Sequence, residues 1–206
     1  MPPASASSSS AAGAPRHVDR RSHDLGQRFE RVAIVLHRIT YDAGQIHRRA
    51  IRPMTDTFVT RQEVADFITL FEDGVLPRAR WTHRGHLTAG FWYLTMHPLA
   101  VALSTLRVRI RRHNEAVGTP NTDSSGYHET ITRLYLLGIG AHIVRYAELR
   151  FEQSLAALLS SPLTDSRWPL RFYSQERLFS VEARRQWVEP DLEPLETAAR
   201  AASLAR

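Results

Sequence analysis

The sequence predicts an all-α fold, an antiparallel helical bundle with an irregular C-terminal segment and a disordered N-terminal tail. Three observations point there. Between residues 60 and 161, apolar residues recur at the three- and four-residue spacing that lines one face of a helix. Capping residues, prolines and glycines punctuate these stretches, and no strand-like alternation interrupts them. The opening "MPPASASSSSAAGAPRHVDRRSHDLG" is rich in Ala, Ser and Pro and has no apolar run with which to build a core.

Residues 1–53 therefore read as a disordered or weakly structured extension, 54–195 as the helical domain and 196–206 as a flexible tail. In the domain, Thr60 and Glu63 form a T-x-x-E capping box, with Val59 and Val64 at the staple positions around it. Helix one runs from Arg61 to about Phe71, and Gly74 in "EDG" marks its end. An apolar helix follows from about Thr82 to Met96, halted by His97 and Pro98. The next spans Pro98 to Val117, with Leu99, Leu103, Leu106, Ile110 and Val117 on one face. The loop "GTPNTDSSG" is turn chemistry throughout. It leads into a fourth helix from near Tyr127 that extends or restarts up to Ser161. Beyond Pro162 the periodicity fades into a long irregular stretch, with a short helix expected near Val181 to Trp187.

Composition narrows the chemistry. The chain has 206 residues and no cysteine, which excludes disulfides, thiolate nucleophiles and Cys-ligated metals. All 27 basic residues are arginine, which excludes Schiff-base lysines and lysine-dependent phosphate loops. A net charge of +6 invites a nucleic-acid reading. Nine arginines and four acids lie in residues 1–53, however, and 18 arginines and 17 acids after them. The domain is nearly neutral, and nucleic-acid binding is disfavoured. No run reaches the roughly 18 apolar residues needed to cross a bilayer. With no secretory leader evident, the expected location is cytoplasmic.

Histidines carry the candidate chemistry. "WTHRGHL" places His83 and His86 three residues apart at a helix start, roughly 60° apart around the helix axis. In helix four, His128 shares a face with Thr132, Tyr135, Ile139 and Ile143 and is expected to face the core. If the intervening helix reverses direction, His128 meets His83 and His86 at one end of the bundle. Three imidazoles with a carboxylate are a plausible set for a divalent metal ion, Fe, Mn, Ni or Zn. Glu129 is the candidate ligand or general base for a metal-bound water, with Glu115 as its substitute. His113, Asn114 and Tyr127 are candidates to orient the ligands by hydrogen bonding. Arg171, Tyr173 and Arg177 are candidates to hold a small anionic substrate over the bundle's open end. His97 is explained by the helix break and His142 by packing.

The segments "RWTHRGHL", "HNEAVGTPNTDSSGYHETIT" and "SPLTDSRWPLRFYSQERLFS" are similar to a family of small bacterial helical proteins with WTHxxHL and GYHET motifs. That resemblance covers about Asp73 to Leu192 and implies a soluble bacterial domain without specifying an activity. At the level of fold the bundle resembles the DinB/YfiT-like proteins, which implies metal binding. The resulting expectation is a helical metalloenzyme of hydrolytic or non-haem oxidative chemistry acting on a small molecule. The alternative is a non-catalytic interaction protein whose histidines are structural.

Overall fold

A computed structural model describes residues 59–195. The expectations for residues 1–53 and 196–206 lie outside the described residues. Among the described residues, seven α-helices form the bundle: α1 (Arg61–Glu72), α2 (His83–Met96), α3 (Leu99–Ala116), α4 (Glu129–Arg145), α5 (Phe151–Leu158), α6 (Gln175–Leu178) and α7 (Val181–Arg185). The described residues contain no strand, and none of their helices is long and apolar enough to cross a membrane.

Local chemistry sets most of the boundaries. Thr60 Oγ1 accepts the Glu63 N–H at 3.2 Å and Glu63 Oε2 accepts the Thr60 N–H at 3.1 Å, which closes the capping box of α1. Gly74, at φ 74°, carries the chain away from that helix. Thr82 caps α2 by accepting the Gly85 N–H at 3.2 Å. His97 ends it in extended backbone, as expected of a residue before proline. α3 buries Ala102, Leu106, Ile110, His113 and Asn114. The following loop is organised by Asn121, whose Oδ1 accepts from Asn114 Nδ2 at 3.0 Å and from the Tyr127 N–H at 3.1 Å. Gly126 closes it at φ 76°, where a Cβ would lie 2.6 Å from the Pro120 carbonyl oxygen.

The fourth helix, expected to extend or restart up to Ser161, restarts as a second helix. α4 ends at Arg145, and the chain folds back so that α5 packs against it. The His142 Nε2–H donates to the Ser154 carbonyl at 2.9 Å, a bond between the two helices that one continuous helix could not make. The largest helix contact joins α2 to α4. Phe67, Phe71, Leu87, Phe91, Leu134, Leu136 and Ile139 are fully buried around it, each contributing about 1.5–3 kcal/mol.

The irregular C-terminal segment is tied down throughout. Trp168 and Phe172 are buried edge to face, 5.0 Å between ring centroids. Gly138 on α4 admits the Trp168 ring, since a Cβ there would come within 3.0 Å of it. Thr130 donates to the Gln186 carbonyl at 2.8 Å and accepts the Val188 N–H at 3.2 Å, joining the segment to the first turn of α4.

Candidate functional site

α2, α3 and α4 enclose a cleft of about 280 Å³. Its walls are largely apolar, with Leu87 and Gly90 from α2, Leu106 and Ile110 from α3, and Leu136 and Ile139 from α4. Trp81, His83, His86, Ile131, Thr132 and Tyr135 complete the lining. The two motif histidines therefore share one wall, as their spacing predicts.

Each is held by a backbone carbonyl. His86 Nδ1–H donates to the Thr82 carbonyl at 2.8 Å, which leaves Nε2 as the ring's acceptor when the imidazole is neutral. His83 Nε2–H donates to the Leu163 carbonyl at 2.9 Å, which in the neutral ring leaves Nδ1. Neither remaining nitrogen has a partner among the described residues. The His86 ring lies 4.1 Å from Trp81, centroid to centroid, and Trp81 stacks on Phe71 at 4.3 Å. Close packing pushes the His86 pKa below the ordinary histidine value. His86 is nonetheless an exposed residue, and access to solvent limits the shift.

His113 sits behind this stack, fully buried, with its ring centroid 5.1 Å from that of Trp81 in an edge-on arrangement. Neither of its nitrogens has a hydrogen-bond partner among the described residues. Burial pushes its pKa down, so the ring is neutral at neutral pH. Its part here is to pack against Trp81, which in turn fixes the His86 ring.

His128 does not join the pair. It is the N-cap of α4: its Nδ1 accepts the Ile131 N–H at 3.3 Å, and its Nε2–H donates to the Leu178 carbonyl at 2.9 Å. Both nitrogens are engaged, and no lone pair remains for a metal. Burial, with the Arg184 charge, pushes its pKa down to about 4, against the opposing bond to Leu178.

The expected carboxylates are placed elsewhere too. Glu129 is buried and accepts two bonds from Arg107, at 2.8 and 2.5 Å, and one from the Tyr127 hydroxyl at 2.9 Å. Burial alone would push its carboxyl up, but these bonds and the Arg107 charge hold it below the usual range. It is a structural anion, and a poor base. Glu115 is exposed and accepts from Asn121 Nδ2 at 3.1 Å. Asn114 and Tyr127 serve Asn121 and Glu129, and neither touches His83 or His86 through a hydrogen bond.

None of the C-terminal candidates lines the cleft. Tyr173 is fully buried and donates to the Val188 carbonyl at 2.8 Å. Arg177 Nε donates to the Glu189 carbonyl at 3.3 Å, and Arg171 is exposed on the outer surface. Among the described residues no group of three or more His, Asp or Glu side chains is arranged to hold a metal ion. The donor set His83, His86, His128 and Glu129 does not fit a metal centre in this geometry.

Sequence reasoning missed what the site is made of. The carbonyls of Thr82 and Leu163 orient the two imidazoles, and apolar side chains of α3 and α4 form the opposite walls. A Thr capping position immediately before His83 is the one sequence signal for the former. No family model, curated protein or solved structure matches the chain.

Proposed function

We propose that the chain is a small-molecule-binding protein whose ligand occupies the cleft between α2, α3 and α4. The carrying observation is an apolar cleft of about 280 Å³ with two backbone-oriented imidazoles on one wall. A cavity of roughly 150 Å³ lined by aliphatic side chains is enough to take up benzene. The volume here suits a compact ligand of one or two rings, or an aliphatic body of similar size. Burying that body supplies affinity, at roughly 25 cal/mol per Å² of apolar surface before the costs of association.

The metalloenzyme reading needs a third protein ligand beyond His83 and His86. For His128 to serve, its Nδ1 would have to release the Ile131 N–H and uncap α4. Ligand binding without metal needs no such rearrangement.

The test is a titration of the full chain with indane, followed by amide chemical shifts. Saturable shifts clustered at Leu87, Gly90 and Ile139, lost in Ile131→Trp, support the cleft as a binding site. Absence of saturable shifts with indane and with its alcohol, acid and amine derivatives, up to the solubility limit of each, overturns it.

A further inference from the structure

The hydrogen-bonding character of the cleft wall selects a class of ligand. We propose that the natural ligand is an uncharged, mainly apolar alcohol or phenol, whose hydroxyl donates to His86 Nε2. This rests on the cleft being a binding site, and adds what that site recognises.

The cleft offers acceptors and withholds donors. His86 Nδ1–H is used by the Thr82 carbonyl at 2.8 Å, and His83 Nε2–H by the Leu163 carbonyl at 2.9 Å. The Thr132 hydroxyl donates to the His128 carbonyl at 2.8 Å, and the Tyr135 hydroxyl to the Asp165 carbonyl at 3.2 Å. The Trp81 Nε1–H has no partner among the described residues, but it is sealed from solvent and presents nothing to the cleft. The two lining imidazoles therefore have lone pairs, and no N–H, left for a ligand, and His86 is the more accessible residue.

The lining carries no arginine and no carboxylate. An anionic ligand would find neither a counter-charge nor a donor, and a cationic one would lose hydration in an apolar cleft without a compensating anion. A neutral donor meets both conditions. His86 is suited to accept it because its ring is immobilised on Trp81, at 4.1 Å, so little rotamer freedom is lost on binding.

The experiment compares indane, 2-indanol, indane-2-carboxylate and 2-aminoindane as probes of the full chain at pH 7.5. The expected result is about tenfold tighter binding of 2-indanol than of indane, the size of one net hydrogen bond, with both ions weaker than 2-indanol. In His86→Leu, indane still binds and the preference for 2-indanol disappears. A second reading uses the wild-type protein alone: 2-indanol shifts the His86 Nε2 nitrogen resonance, and indane leaves it in place. Equal binding of indane and 2-indanol, or tightest binding of the carboxylate or the amine, overturns the ligand class and leaves the cleft as a site. Failure of all four probes to bind overturns both.

Discussion

The His128 imidazole joins the first turn of α4 to the last residue of α6, capping one through the Ile131 N–H and holding the other through the Leu178 carbonyl at 2.9 Å. His128→Ala removes the cap and strands a buried carbonyl, so it is expected to cost about 2–4 kcal/mol of folding stability. His128→Asn retains a capping oxygen and should recover about 1 kcal/mol of that loss. Urea unfolding of the three proteins at pH 7.5 checks the order.

Acid should destabilise the fold well before its carboxylates titrate. Burial depresses His113, His128 and His142, so each binds a proton more readily in the unfolded chain than in the folded one. Their stabilising effect is complete above the unfolded value of about 6.5 and is lost as pH falls below it. His128 alone, pushed down to about 4, accounts for roughly 3 kcal/mol across that interval. The urea midpoint should drop steadily from pH 7 to pH 5, and less steeply in His128→Asn. A flat midpoint over that range would contradict the buried neutral histidines.

The Arg107–Glu129 pair gives a dependence of the same sign, set at the lower pH where carboxylates titrate. Glu129 titrates below the usual carboxylate range, so its pairing stabilises the fold above the unfolded value and fades as pH falls below it. Arg107→Met leaves the buried carboxylate with only the Tyr127 hydroxyl, and should cost about 1–3 kcal/mol at pH 7. The difference from wild type should shrink toward pH 4, as measured by urea unfolding at each pH.

Gly126→Ala is expected to destabilise by at least about 2 kcal/mol, because left-handed backbone and a carbonyl contact coincide at one position. The φ is 76° and the added Cβ meets the Pro120 oxygen at 2.6 Å. Thermal unfolding reads the loss, and Gly118→Ala, with open space around its Cβ, serves as the milder comparison.

The helical architecture was legible because its signals are local. The Thr60–Glu63 box, the Pro98 break and the Gly74 exit each act within a few residues and hold in the fold. Extension and restart of the fourth helix were both open in the sequence, since the bond from His142 to Ser154 that ties α5 to α4 exists only after the chain folds back. The same limit governed the site. Helical phase placed His83 and His86 on one wall, but it could not reveal that His128 lies just outside its helix as a cap, where phase no longer applies. Nor could it show that Glu129 spends its charge on Arg107, from the preceding helix.

The bonds of Thr130 to Gln186 and Val188 have a consequence for biosynthesis. The first turn of α4 is emitted from the ribosome well before the residues that complete it, since His128 waits for Leu178 and Thr130 for Gln186 and Val188. A nascent chain arrested at residue 175 carries α1 to α5 with these partners missing, and should remain protease-sensitive at Tyr127–Thr130. Release of residues 176–195 then acts as the closing step, so that one end of the bundle is finished by residues made after α1 to α5.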